Sequence, residues 1–305
     1  MAELLAFIDL GSNAVRCLLV RVTPRVGFEV LRQERVQTRL GGGCPGVLPQ
    51  TSVKHTLATV CRFLREVRGE YQPRVLAIAT AAVREAANRE DLLSTLRRDA
   101  GVEVRVLSGE EEARLGTFAA LRSVSFRNGV VVDLGGSSLQ ITQVHEGDIS
   151  STASLPLGAV RTTQRFLTSD PPTEQELLAL REEIERQISS VLPPARDGQE
   201  MIGLGGTVRT LASMHLASLG GPGQSRQGLR LRCSDITRMR EQLQRLPIRD
   251  RRSVPGLKAE RADIILAGAI VLEGVMALGG YKTLTVSKGG VRHGFLLREA
   301  FNGGA

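Results

Sequence analysis

A short hairpin signature occurs twice in this chain, 124 residues apart, and it limits the possible folds more than any other feature. Phe7-Ile8-Asp9-Leu10-Gly11-Ser12-Asn13-Ala14 is echoed by Val131-Val132-Asp133-Leu134-Gly135-Gly136-Ser137-Ser138. Each copy is an apolar strand that runs into Asp-Leu-Gly, turns through small residues and continues into a second strand. Those second strands are VRCLLVRV from Val15 and LQITQVHE from Leu139. A turn and a third strand follow in both copies. The spacing is far longer than a solenoid repeat. It predicts two lobes of one topology, each opening on a β-hairpin whose tight turn carries an aspartate.

Between and after the hairpins the periodicity changes. Val53, Leu57, Val60, Leu64 and Val67 fall at helical spacing, and short apolar runs at 75–79 and 102–107 read as strands. Thr173 and Glu176 form a capping-box pattern ahead of a helix whose apolar face is Leu177, Leu180, Ile184, Ile188 and Val191. Beyond it come a strand at 201–204, helices near 207–219 and 234–246, an apolar helix from Arg261, a strand at 283–287 and a final helix. Alternating strands and helices require crossover connections, so the fold class is α/β with a largely parallel sheet in each lobe. The boundary is expected near residues 123–128. That gives an N-terminal lobe over 1–124 and a C-terminal lobe over 125–305, with the last helix (290–305) packing back on the first. The Gly-, Ser- and Gln-rich stretch 220–228 reads as a mobile loop.

With 305 residues and 42% hydrophobic content, the chain has enough material for two cores. Its longest apolar run, 264–272, is less than half the roughly 20 residues of a spanning helix, so no membrane segment is expected. Glu3 and Asp9 interrupt the N-terminal apolar run, which excludes a secretory signal. Four scattered cysteines without a CxxC pair read as reduced thiols in a cytoplasmic protein. The net charge of +8 suits a polyanionic partner. Only four of the 40 basic residues are lysine, a bias that base composition explains equally well, and the sequence does not choose between the two. Aromatics make up 3% with no tryptophan, too few for a base-stacking platform, and no specific nucleic-acid binding is expected.

Glycines in a hairpin turn let backbone N–H groups converge on an anion, because no Cβ blocks the approach. An aspartate at the strand end can hold a divalent cation against the bound phosphate, directly or through water. Two such turns in duplicated lobes point to a shared phosphate-binding cleft. The motif GxxxxGK[ST] is absent, so this is not P-loop chemistry. Gly205-Gly206-Thr207 ends a strand and starts a helix, another natural phosphate site, and Lys288-Gly289-Gly290-Val291-Arg292 has the same form with two cations. In Ser108-Gly109-Glu110-Glu111-Glu112, Ser108 and Glu111 make a capping box. Glu112 is not needed for the cap and is the candidate general base. The four histidines show no metal-ligand spacing.

At these motifs the chain resembles the exopolyphosphatase/guanosine pentaphosphate phosphohydrolase family, short form, within the actin/Hsp70/sugar-kinase superfamily. The resemblance rests on DLGSNAVR from Asp9, RVQTRLGGG from Arg35, ATAAVREA from Ala79, SGEEEARL from Ser108 and DLGGSSLQ from Asp133. It continues in SLPLGAVR from Ser154, GLGGTVRTLA from Gly203, PGLKAERADIILAGA from Pro255 and VSKGGVRHG from Val286. It implies two ribonuclease-H-like (actin-like) lobes with the active site in the cleft between them. Glu112 matches the family's catalytic glutamate and Asp133 its metal-binding aspartate. Asp9, Gly11, Ser12, Asn13, Gly135, Gly136, Ser137, Ser138, Gly205, Gly206 and Thr207 match its phosphate loops. Thr80 and Arg84 match a further pair of cleft residues. A homodimer is implied too.

The resemblance further implies an Mg²⁺-dependent hydrolase that releases terminal phosphate from inorganic polyphosphate or guanosine pentaphosphate. Arg16 occupies the repeat position of Gln140 and is a candidate contact for a second phosphate group of guanosine tetra- or pentaphosphate; Arg261 is another. Three positions depart from the family pattern: Gln140 replaces a glutamate that closes DxGGGSxE, Ser137 replaces the third glycine of that motif, and His293 replaces a glutamate at the end of SxxGxREG. A neutral amide is a poorer Mg²⁺ ligand and cannot act as a base. Two other readings therefore remain: a catalytically weakened sensor of polyphosphate or alarmone, and an ATP-dependent phosphotransferase of the same superfamily.

Overall fold

The computed structural model describes residues 2–44, 46–192, 194–221 and 224–302. It divides into two compact units: residues 1–112 with 292–305, and residues 113–291. The loop expected over 220–228 includes residues 222 and 223, and the expected last helix runs on over residues 303–305; these five positions lie outside the described residues.

In the first unit, β1 (Glu3–Leu10), β2 (Val15–Thr23) and β3 (Gly27–Val36) form an antiparallel meander. Helix α1 (Gln50–Tyr71) leads into β4 (Arg74–Ala79), which pairs parallel to β1. Short helices α2 (Ala81–Arg84) and α3 (Arg89–Thr95) precede β5 (Val104–Val106), parallel to β4, and the sheet order is β3-β2-β1-β4-β5. Strand β5 is shorter than the expected 102–107. β1 is apolar on both faces because both are covered. Ala6, Ile8 and Leu10 belong to the core that also contains Val53, Val60, Phe63, Leu64 and Val67 of α1. Phe7 points to the other face, as strand alternation requires, and stacks on Phe295 of the C-terminal helix with ring centroids 5.3 Å apart. The Ala300 carbonyl of that helix also accepts the Arg25 N–H. Cys17 is buried in β2, where burial, and then Glu34, push its thiol up to about 12; all four cysteines are free.

Helix α4 (Gly109–Ser123) carries the chain into the second unit, where the hairpin recurs. β6 (Gly129–Leu134), β7 (Leu139–His145) and β8 (Asp148–Leu155) form its meander. Helices α5 (Ala159–Phe166) and α6 (Glu174–Ile188) follow, then β9 (Glu200–Leu204), α7 (Gly205–Ser218), β10 (Arg230–Arg232), α8 (Cys233–Arg245), α9 (Ile248–Arg251), α10 (Ile265–Leu278) and β11 (Thr283–Val286). The order β8-β7-β6-β9-β11, extended by β10, repeats the first sheet strand for strand. Two α/β lobes of the ribonuclease-H-like, actin-like arrangement are therefore present. Helix α10 is apolar nearly all round and sits in the core among α5, α6, α7 and α8. Gly274 lets it approach α6, since a Cβ there would lie 2.7 Å from Ile184. The Thr173–Glu176 capping box forms in full at the start of α6.

Two element limits differ from expectation. α6 stops at Ile188, and Val191 packs on the core from the following turn. Arg261 does not open a helix: it closes a 3₁₀ turn, Ala259–Arg261, whose tighter i→i+3 bonds run through Ala262 and Ile264 before α10 starts at Ile265. The last helix spans Val291–Asn302 (α11). Among the described residues no helix is long and apolar enough to cross a membrane.

Candidate functional site

In the first unit the candidate residues gather at the carboxyl ends of the parallel strands, the edge where open α/β sheets bind ligands. Asp9 is 8% exposed and lies opposite Arg16 across the β1–β2 ladder, with Arg16 Nη1 3.5 Å from Asp9 Oδ2. Arg292, at the start of α11, is a second cation here. Burial and then Arg16 push its guanidinium down from its ordinary value, while Asp9 opposes them. Two guanidinium groups against one carboxylate leave a positive surplus that favours an anion. The turn of residues 11–14 is held from one side: Gly41 and Arg39 donate their N–H groups to the Ser12 and Asn13 carbonyls at 2.8 and 3.2 Å. Gln37 Nε2 donates to Asn13 Oδ1 at 3.2 Å.

Thr80 caps α2 beside the same edge, and its N–H donates to the Leu10 carbonyl at 3.4 Å. Arg84, at the end of α2, donates from Nη1 to the Leu107 carbonyl at 2.8 Å and pairs with Glu112 Oε1. Glu112 stands in the first turn of α4 and is only 4% exposed. Its neighbour Glu111 does the capping: it accepts the Ser108 N–H at 2.8 Å, and its own N–H donates to Ser108 Oγ at 3.1 Å. That hydrogen bond, with Arg105, holds the Glu111 carboxyl below the usual carboxylate range. A buried glutamate outside the cap, fixed by an arginine, can position a water and accept its proton.

The second unit builds its site on the same strand edge. Asp133, 9% exposed, ends β6 opposite Gln140. Three glycines surround its carboxylate: a Cβ on Gly116 would stand 3.3 Å from Oδ2, one on Gly205 2.9 Å from Oδ1, and one on Gly290 3.9 Å from Oδ2. Gln140 is buried and donates from Nε2 to Ser138 Oγ at 2.7 Å and to Ser154 Oγ at 3.2 Å. Its amide therefore orders two hydroxyls beside the turn.

The donor set at Asp133 fits a small hard cation. Gly116, Gly205 and Gly290 leave room beside its hard carboxylate oxygens. Among the described residues no cluster of three or more His, Cys, Asp or Glu forms a metal cage. A cation there would take most of its ligands from water and phosphate, as Mg²⁺ does with its one or two carboxylates. Asp9 pairs with Arg16 across the β1–β2 ladder.

Gly205 and Gly206 open α7 directly beside Asp133, and Gly205 takes φ +96° because a Cβ would meet the Leu134 carbonyl at 2.3 Å. Arg261 lies over Gly206, where a Cβ would stand 2.5 Å from its Nη1, so a cation and a helix N-terminus share one place. Thr207 is fully buried, with its side chain against Gly268 of α10. His293, a departure from the family pattern, packs its ring on Phe28 at 4.9 Å.

The loop residues Gln37, Arg39 and Gly41, and Arg161, are not marked as site residues by the sequence, whereas Arg292 is one of the two cations read at the Lys288–Arg292 element. Arg161 of α5 donates from Nε to the Ser137 carbonyl at 2.8 Å. The available signal is their position inside the RVQTRLGGG and SLPLGAVR motifs, which carry no chemistry of their own.

The Ppx/GppA phosphatase family model matches residues 18–302 of the chain. Exopolyphosphatase 1 of Mycobacterium tuberculosis is 29% identical over 304 residues, covering 97% of this chain and 88% of the relative. The crystal structure of the Ppx/GppA family member from Aquifex aeolicus superposes with a TM-score of 0.82 at 27% identity and covers both chains completely. An exopolyphosphatase from Cytophaga hutchinsonii, 23% identical with 98% of each chain covered, shares the fold with a TM-score of 0.87. With a match across nearly its whole length, on a fold duplicated in the same way, the chain belongs to the Ppx/GppA phosphatase family.

Proposed function

We propose that the chain is a divalent-cation-assisted phosphohydrolase that releases terminal orthophosphate from inorganic polyphosphate or guanosine pentaphosphate. The observation that carries this reading is the buried Glu112 carboxylate, spared by the helix cap and held by Arg84. Water attacks the terminal phosphorus, the bridging P–O bond breaks in line, and Glu112 takes the proton of the attacking water. The departing chain leaves with the bridging oxygen. Asp133 would hold Mg²⁺, which when bound neutralises non-bridging oxygens of the transferred group. N–H groups of the Gly135–Ser138 turn stabilise charge on the transferred phosphate. Arg16 and Arg292 take up the next phosphates. Nearly all of the catalysis is positioning and electrostatics, since phosphoryl transfer leaves the protein little covalent work.

Gln140 favours a second reading, a weakened enzyme that serves as a sensor of the same ligands, because its amide is engaged with two serine hydroxyls where a carboxylate would reinforce the metal. The separating experiment measures phosphate release from polyphosphate, guanosine pentaphosphate and ATP, each with and without Mg²⁺. Release from either of the first two supports the hydrolase, and binding without release supports the sensor. ATP consumption that needs a second substrate identifies a phosphotransferase. Glu112→Gln should lower kcat by about 10²–10⁴-fold while leaving polyphosphate affinity in place. Full turnover in that variant removes Glu112 from the mechanism.

A further inference from the structure

The second turn is gripped on one side by a helix whose first N–H groups are all spent on it. Ala159 donates to the Gly135 carbonyl at 3.0 Å, and Val160 and Arg161 donate to the Gly136 carbonyl at 2.8 and 3.2 Å. The Arg161 side chain completes the set from Nε, 2.8 Å from the Ser137 carbonyl. Three successive carbonyls of the turn therefore point at the start of α5. Gly158 makes the approach possible, since a Cβ there would stand 2.3 Å from both Ser137 C and Ser138 N. The only cis peptide among the described residues is Asp170–Pro171, so the peptides of the turn are trans. In a trans peptide the N–H points opposite to the C=O. Fixing the three oxygens on α5 thus turns the N–H groups of Gly136, Ser137 and Ser138 the other way, as an anion-binding nest.

We infer that Arg161 is a positioning residue, which with the N-terminus of α5 pulls on the turn's carbonyls and so aims its three N–H groups at the phosphate to be transferred. This rests on the phosphohydrolase reading for its reaction, although not for its geometry. A guanidinium suits the task because its Nε–H is held in a rigid plane, which a lysine ammonium does not reproduce.

The test uses the full chain and two variants, Arg161→Gln and Arg161→Lys. Two readouts are taken: kcat and KM on polyphosphate with Mg²⁺, and the amide shifts of Gly136, Ser137 and Ser138 in the ¹⁵N-labelled protein titrated with inorganic phosphate. Arg161→Gln should lose about 10²-fold, mostly in kcat, the cost of a donor set misplaced by about 1 Å. Its phosphate-induced shifts at those three amides should collapse, which a purely structural arginine would not cause in a variant that still folds. Arg161→Lys should not rescue either readout. The inference is overturned by wild-type kcat and shifts in Arg161→Gln. It is overturned equally if Arg161→Lys restores kcat, which would make the residue a charge contact to substrate; this arm alone decides the question if the glutamine variant does not fold. Should the unmutated chain release no phosphate at all, the hydrolase reading fails. The titration then judges the positioning role alone: lost shifts uphold it and unchanged shifts end it.

Discussion

The two Asp-Leu-Gly turns share a strand frame and differ in what answers the aspartate. In the first, Asp9 faces Arg16 at 3.5 Å and feels Arg292 as well, so the turn is rich in positive charge. In the second, Asp133 faces a neutral Gln140 and sits in a cradle of Gly116, Gly205 and Gly290. Each turn also has its carbonyls held from behind, by the loop N–H groups of Arg39 and Gly41 in one case and by α5 with Arg161 in the other. Duplication thus supplied two similar turns, and the residue opposite each aspartate gives them different charge. The charge at the first turn suits an anion, and the carboxylate at the second suits a cation.

The largest effect that would break this division comes from the aspartates themselves. Asp133→Asn should lower kcat/KM by about 10²–10³-fold, the scale of losing one electrostatic element of a transition-state site. The residual rate should no longer respond to Mg²⁺. Asp9→Asn should cost less and leave the Mg²⁺ response intact, because Asp9 balances arginines. Mg²⁺ titration of phosphate release by both variants decides it. An equal loss of metal dependence in the two would mean that both carboxylates serve the cation.

A smaller effect sharpens the contrast from the other side. Arg16→Gln gives the first turn the residue type of the second. Removing one charge-assisted contact of about 1.5 kcal/mol should raise KM for polyphosphate about tenfold, with kcat nearly unchanged. Steady-state kinetics at two salt concentrations check it, since a lost cation also flattens the salt dependence of KM. An unchanged KM would leave Arg16 as a partner of Asp9 and nothing more.

What the sequence disclosed follows the range of the forces involved. The Asp9 and Asp133 turns, the Ser108–Glu111 and Thr173–Glu176 caps and the apolar face of α1 depend on residues a few positions apart, and pattern alone reveals such elements. Arg161 and the Arg39–Gly41 contact act on turns many residues away in the chain, so nothing local marks them. A charged stretch before an apolar run reads as helix, which would start α10 at Arg261 rather than Ile265. Instead, 3₁₀ bonds from Lys258 to Ile264 close that segment and set Arg261 over Gly206.

The smallest expected effect lies away from both turns and tests whether they depend on the frame behind them. Glu176 accepts hydrogen bonds from the Thr168 hydroxyl and from the Thr173, Ser169 and Thr168 N–H groups, which together lower its carboxyl to about 2 from an ordinary 4.5. A depressed carboxylate stabilises the fold fully above its unfolded value and loses that contribution as pH falls through the folded one. Glu176→Gln should therefore be less stable than the parent at pH 7, by about 1 kcal/mol on the scale of a lost helix cap. The gap should narrow from about pH 4.5 downward and nearly close by about pH 2, as thermal unfolding at a series of pH values would show. Activity at pH 7 and 25 °C should be unchanged, because the cap anchors α6 through Leu177 and Leu180 while the turn at Asp133 is held by α5. A drop in kcat as large as that of Arg161→Gln would mean that α6 also sets the turn, and the local clamp would no longer account for the geometry of the second nest.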